Sequence, residues 1–296
     1  MQGFLNVNKP QGITSYDVIR KLKRLVPRKS KLGHLGTLDP MATGVLPVAL
    51  GRATKLIPYI ENESKEYIAT MTIGGRSDTQ DAWGNITYSC QIEFDAEKLK
   101  TILNSFTGII KQIPPMYSAV HYDGKRLYEL ARQGVAVERT AREVEIKALD
   151  LVEIDLSHEL PQVKFKVLCS PGTYVRTLCH DIGEKLETGA YLSALLRTRS
   201  GMFGIEEALP LQEILDRGSE LESLLMDIDY PLTHLSSVKV EGGDMFTILN
   251  GGPVLHNEPF TTGLVKVYSP RQELLAIAET ETQGDKTLVK PVRVLK

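Results

Sequence analysis

Asp39 is the residue of this chain best suited to do chemistry. It lies in the stretch GHLGTLDPMATGVLPVALGRATK, from Gly33 to Lys55. Gly33, Gly36 and Gly44 surround His34, Thr37, Asp39 and Thr43 with no apolar run among them, whereas Val45 to Leu50 is apolar and β-prone. The pattern is that of a glycine-permitted loop that presents one carboxylate and is braced by a buried strand. Pro40 steers Asp39 away from helical backbone, which restrains it and lets its side chain be aimed. On residue chemistry alone, the same Asp-Pro pair between glycines also reads as a plain turn. A carboxylate held in this way can attack a sugar carbon and leave again, as aspartates do in glycosidases.

The elements that must position this loop follow from periodicity. Phe4, Leu5 and Val7 mark a short opening strand, then Thr14 to Asp17 has capping-box spacing ahead of a helix bearing Val18, Leu22 and Leu25 on one face. Residues 52–60 suit a short helix or turn. EYIATMTIGG alternates as a strand, with Tyr67 at its entrance and Gly74-Gly75 at its end. RSDTQDAWG is polar and bounded by glycines, hence a loop, in which Asp81 suits an Asx turn or a cap. Residues 86–92 alternate again, and Asp95 caps a helix with Leu99, Ile102, Leu103 and Phe106 facing the core. Asp123-Gly124 is a hairpin turn, followed by a short helix that Gly134 stops. Strands are expected around 144–154 and 163–168, then a strand-to-helix passage at CSPGTYVRTLCHDIGEKL that places Tyr174 and Arg176 near the helix start. GAYLSALLRTRSG reads as a strand with an apolar face; Leu195 reads as core, while Arg197 and Arg199 are candidates to meet phosphate. From about residue 231 the texture changes to short β-prone runs between Gly-rich turns, a small β-barrel of some sixty residues.

Composition narrows the class. A chain of 296 residues with 42% hydrophobic content buries a large core, and no apolar run is long enough for a membrane span. The start, MQGFLNVNKPQG, has no signal-peptide core, so a cytoplasmic protein is expected. Three cysteines (Cys90, Cys169 and Cys179), never spaced as CxxC, argue against disulfides and a zinc site. A net charge of −2 announces no nucleic-acid partner, yet it is unevenly spread. From Arg20 to Lys31 seven residues are basic and none is acidic, while between Ile205 and Tyr230 only Arg217 is basic among many acids. Such a chain can present one phosphate-attracting face and remain near neutral overall. Lys111, Lys125, Arg126 and Arg132 interleave with Tyr117, Tyr122 and Tyr128, a mixture suited to an RNA surface.

The motifs NKPQGITS, GHLGTLDP, GGRSDTQDAWG and GTYVRTL together resemble the TruB-type tRNA pseudouridine-55 synthases, over roughly residues 6 to 200. The resemblance implies an α+β fold with a central mixed, mostly antiparallel sheet flanked by helices and loops. It implies a catalytic domain at 1–232, with an RNA-gripping insertion at about 111–141, and a small PUA-like β-barrel at 233–296. It also implies that Asp39 is the nucleophile, that Tyr67 stacks on the target base and accepts its carbon-5 proton, and that Arg176 pairs with Asp39. His34, Tyr174, Leu195 and Asp81 become substrate-binding residues, with Asp81 helping to rearrange the RNA loop. The implied reaction isomerises uridine 55 in the T-arm of tRNA, with no cofactor, metal or guide RNA. The C-terminal unit would contact the acceptor end, and a cytoplasmic monomer without membrane contact is expected. Whether Asp39 attacks sugar or base, or abstracts a ribose proton, stays open. A base-releasing N-glycosylase would share the nucleophile, and an RNA-binding module would share the surface.

Overall fold

The computed structural model describes residues 1–60, 64–89, 94–257, 260 and 262–296. In chain order the first elements are β1 (Gly3–Lys9), α1 (Ser15–Leu22), β2 (Leu32–His34), β3 (Thr43–Leu50), β4 (Lys65–Ile73), β5 (Gly75–Ser77), β6 (Ile86–Tyr88), α2 (Ala96–Asn104) and β7 (Gly108–Gln112). A small hairpin of β8 (His121–Tyr122) and β9 (Lys125–Arg126) follows, then α3 (Leu127–Arg132), β10 (Arg142–Asp155), β11 (Gln162–Cys169), α4 (Val175–Lys185) and β12 (Ala190–Ser200). After β13 (Phe203–Gly204), β14 (Leu209–Pro210) and α5 (Leu211–Asp216) come β15 (Ser236–Lys239), α6 (Gly242–Leu249), β16 (Val254–His256), β17 (Gly263–Tyr268), β18 (Leu274–Gln283) and β19 (Lys286–Val294).

Among the described residues, the first fourteen strands supply a ten-stranded sheet in the order β14-β1-β3-β12-β4-β11-β10-β7, with β2 and β13 pairing off that path. Two pairings are parallel, β1 with β14 and β3 with β12; the others along the sheet are antiparallel, so the expected mixed and mostly antiparallel α+β arrangement holds. The apolar run Val45–Leu50 has a simple cause. Leu46, Val48 and Leu50 face the large core that α1, α2 and α4 help cover, while Val45 and Ala49 face a second cluster with Phe4 and Phe203. A strand buried on both faces needs no polar alternation.

The local signals are realised as physics requires. Thr14 and Asp17 close the capping box of α1, and Asp95 caps α2. Asp123 (φ 47°) and Gly124 (φ 78°) form the left-handed turn of the β8–β9 hairpin. Residues 51–55 and 57–59 are 3₁₀ turns, and the strand expected at 86–92 is seen at Ile86–Tyr88, its remainder from Cys90 on lying outside the described residues.

The last five strands form a separate curled sheet, β15-β17-β18-β19-β16, with its own core under α6. It docks on the larger unit through Leu56 and Leu232 against Leu274, Ile277 and Leu295. Polar ties flank that contact: Arg52 Nη1 donates to the Leu295 carbonyl at 2.7 Å, Lys55 Nζ to that of Val294 at 3.1 Å, and the Tyr268 hydroxyl to Asp229.

The parallel β3–β12 pair is where the Asp39 loop meets the sheet, and it demands glycine. Gly44 has φ 102°, and a Cβ there would collide with the Arg197 backbone, whose nitrogen lies 2.9 Å away. Gly44→Ala should therefore cost at least about 2 kcal/mol in urea unfolding, adding a backbone clash to left-handed strain. Gly134→Ala, at φ 73° but with open space around it, should show only the strain, about 1 kcal/mol.

Candidate active site

Arg176 occupies the first turn of α4, and its side chain is only 4% exposed. Its Nε donates to Asp39 Oδ2 at 2.8 Å and its Nη2 to Oδ1 at 3.1 Å. The guanidinium's remaining reach is spent on backbone: Nη1 donates to the Thr79 carbonyl at 3.2 Å and Nη2 to that of Tyr117 at 2.9 Å. A fork onto both carboxylate oxygens fixes their direction as well as their position. The Asp39 side chain stays about one-third exposed (32%), so the carboxylate is gripped from one side and open on the other.

The loop that carries Asp39 is pinned from below. Leu38 N–H donates to Ser15 Oγ at 2.8 Å, and that hydroxyl donates back to the Leu38 carbonyl at 3.0 Å. Gly12 N–H donates to the Pro40 carbonyl at 2.9 Å. Lys9, fully buried, donates to the carbonyls of Pro10, Ile13 and Pro40, and burial pushes its pKa down to about 8. Arg197 completes the support. It is 0% exposed and donates to the carbonyls of Val45 (2.7 Å), Gly36 (3.2 Å) and Thr37 (3.4 Å).

The reading of Arg197 as phosphate-facing is therefore corrected. The β12 register, Arg197 opposite Tyr67 and parallel to Gly44, turns its side chain under the loop, where backbone carbonyls satisfy the buried charge. Arg199, two residues on, is exposed and lies 3.4 Å from Glu66.

The other expected residues gather around this frame. Tyr67, opposite Arg197, is 7% exposed; burial pushes its phenol pKa up, and the nearby guanidinium acts against that rise. Leu195 lies opposite Ala69 on the same strand pair, 8% exposed, and its carbonyl accepts from Thr43 Oγ1 at 3.4 Å. Tyr174 caps α4: its N–H donates to Gln112 Oε1 at 3.0 Å and its carbonyl accepts from Gln112 Nε2 at 3.3 Å. Burial raises the Tyr174 phenol, and the charge of Asp39 adds to the rise. His34, on β2, has a buried Nδ1 with no hydrogen-bond partner among the described residues. Burial and the cations Arg197, Arg126 and Lys65 lower its pKa, which favours a neutral imidazole.

Asp81 faces inward in this structure. Its Oδ1 accepts from Thr79 Oγ1 at 2.7 Å and from Trp83 N–H at 3.0 Å, an Asx turn, and its Oδ2 lies 3.7 Å from Arg176 Nη1. Its carboxylate thus holds the loop whose Thr79 carbonyl holds Arg176. Sequence reasoning missed Lys9, Gln112 and Arg197 as supports. Arg197 carried no local signal, since Arg199 stands two residues on in the same strand.

Comparison with known proteins places the chain in a family. Residues 23–175 match the model of the TruB family pseudouridylate synthase N-terminal domain, and residues 176–233 that of the tRNA pseudouridylate synthase B C-terminal domain. The tRNA pseudouridine synthase B of Syntrophomonas wolfei is 53% identical over 296 residues, which span 100% of this chain and 99% of the relative. That of Alkaliphilus oremlandii is 41% identical over 285 residues, 96% of this chain and 92% of the relative. Among solved structures, a chain of a Cbf5-Nop10-Gar1 complex superposes with a TM-score of 0.72 at 26% identity, covering 99% of this chain and 85% of that one. A chain of an archaeal box H/ACA sRNP Nop10-Cbf5 complex gives 0.71 at 25% identity, with 99% and 86% covered. The forked Arg176–Asp39 pair, the matched models and the full-length relatives lead to one conclusion: the chain belongs to the TruB family of pseudouridylate synthases.

Proposed function

We propose that this pseudouridine synthase isomerises uridine 55 in the T-arm of tRNA, taking the base out of its stack into the site around Asp39. The observation that carries this reading is the forked hydrogen bonding of Arg176 to a half-open Asp39 carboxylate. Isomerisation breaks the bond from ribose to base nitrogen and makes one to base carbon 5; nothing is oxidised, and one proton leaves carbon 5. Asp39 is the nucleophile that makes detachment reversible. Tyr67 and Leu195 hold the planar uracil, and a flipped base read against an aromatic ring is a general solution for chemistry on a nucleobase. Tyr67 takes the carbon-5 proton as a phenolate, the form that the Arg197 guanidinium favours against burial, and the freed ring nitrogen gains a proton, so that the isomerisation balances. His34, neutral and with a free ring nitrogen, contacts the displaced RNA.

The same proposal assigns residues 1–232 to catalysis and 233–296 to a PUA-like unit at the acceptor end. The separate core of the C-terminal sheet supports the division. In the insertion at 111–141, the exposed hairpin residues Tyr122, Lys125 and Arg126 suit a grip on the T-arm without a guide RNA. A cytoplasmic monomer fits this reading, and among the described residues no helix is long and apolar enough to cross a membrane.

Tritium release from a tRNA transcript labelled at carbon 5 of its uridines, with the product mapped by position, tests the reaction and the site together. Asp39→Asn should lower release by at least about a thousandfold while leaving tRNA binding intact, since a catalytic nucleophile is lost. Arg176→Lys should lose on the order of a hundredfold in kcat, because lysine cannot fork onto both oxygens. Tyr67→Phe should keep tRNA affinity and lose about a hundredfold in release, whereas Tyr67→Leu should lose both. Free uracil as product would mean a glycosylase. Modification at another position would remove uridine 55 as the target.

A further inference from the structure

Trp83 is the only tryptophan of the chain, and it is 55% exposed on the loop between β5 and β6. A tryptophan left in water forgoes one of the largest contributions a single side chain can make to a core. Looseness of the loop is not the reason. Ala82 N–H donates to the Leu192 carbonyl at 2.8 Å and Leu192 N–H to that of Gln80 at 3.1 Å, which pins the loop to β12. Ser77 Oγ donates to the Asp81 carbonyl at 2.6 Å, and the Asp78 carboxylate accepts from the backbone and the side chain of Asn85, both at 2.9 Å. The Trp83 N–H itself donates to Asp81 Oδ1 at 3.0 Å, while Oδ2 of the same carboxylate lies 3.7 Å from Arg176 Nη1. One carboxylate therefore separates the backbone of Trp83 from the guanidinium that grips Asp39. Among the described residues the indole ring and its N–H have no partner.

What such a ring can hold is limited by its size. Its loop neighbours Asp78 and Asn85 are exposed and polar, so the apolar surface is one ring wide, far short of a patch that seats a protein. It matches one nucleobase, whose flat face stacks on an indole whichever base it is. We propose that Trp83 stacks on a base of the T-arm loop adjoining the target uridine. Drawing one nucleotide out to Asp39 unstacks its neighbours, and that cost weakens binding unless another flat surface replaces the lost stacking. An indole already fixed in place supplies the replacement without first having to be ordered. Trp83 thus binds substrate beside the reacting base and takes no part in making or breaking bonds. This inference rests on the reading of the T-arm as substrate.

Because Trp83 is the sole tryptophan, the tryptophan emission of the protein reports that one ring. Binding of an unmodified T-arm hairpin to the Asp39→Asn protein, where no turnover intervenes, should quench it. In that background Trp83→Ala should weaken hairpin binding about tenfold and Trp83→Phe less than about threefold, the range of one stacked base. The ring is exposed, so both variants keep the fold. Hairpins carrying a single abasic ribose, scanned through the loop, then locate the partner. At one position next to the target, the missing base should cost the Trp83 protein about tenfold and the Trp83→Ala protein less than about twofold, since one contact cannot be lost twice. Unchanged emission, or binding by Trp83→Ala within about twofold of its parent, would overturn the proposal. Abasic penalties equal in both proteins at every position would overturn it as well, because the ring would then meet no base. A hairpin that binds and quenches but is not modified by the wild type would count against the reaction at uridine 55 and leave the Trp83 contact standing.

Discussion

A buried guanidinium must find acceptors in every direction, and Arg176 finds them on three separate stretches of chain. The Asp39 loop gives two carboxylate oxygens, the loop after β5 gives the Thr79 carbonyl, and the base of the insertion gives that of Tyr117; α4 supplies the arginine itself. Desolvating that cation is costly unless each partner is in place. The same requirement that keeps the charge tolerable therefore holds the Asp39 loop, the Asx loop and the segment of Tyr117 in one relative geometry. Asp81 reinforces it by bonding Thr79 and approaching Arg176 to 3.7 Å, and Gln112 does so by clamping the backbone of Tyr174 at the start of α4.

Arg197 solves a complementary problem. A loop rich in glycine is free to adopt the backbone that aims a carboxylate, and for the same reason it is free to leave it. Three carbonyls of the loop and its following strand end on one immobile guanidinium, and Lys9 ties the loop's Pro40 carbonyl to those of Pro10 and Ile13 ahead of α1. The two cations turn a flexible segment into a fixed one without adding a side chain to the substrate face. Precise placement of a nucleophile is worth many kcal/mol of barrier in general, which is why such support accompanies it.

Much of this was legible in the residues. The strands at 65–73, 142–155, 162–169 and 190–200 follow alternation, and the caps at Thr14 and Asp95 follow from short-range hydrogen bonding that depends on only a few residues. Asp39, Tyr67 and Arg176 were singled out through motifs, and the structure brings Asp39 and Arg176 into contact across 137 residues of chain. What was not legible depends on register. Whether Arg197 points to solvent or under the loop turns on its alignment with Tyr67 and Gly44, which no local pattern encodes. The Asx turn of Asp81 was legible from its loop and is the one that forms, but its approach to an arginine from a helix 95 residues on was not.

The position of β3 has a consequence for synthesis on the ribosome. Its neighbours β1 and β2 both precede it in the chain, while β12, which pairs with its Thr43–Gly44 end, begins only at Ala190. Until then that end of the strand lacks its partner, a small open edge of the kind through which nascent chains pair wrongly. The Asp39 loop likewise waits first for Arg176 and then for Arg197. Contacts of such sequence separation fold slowly. The site is thus assembled late, once about two-thirds of the chain has been made, and a truncated translation product carries Asp39 without the means to aim it.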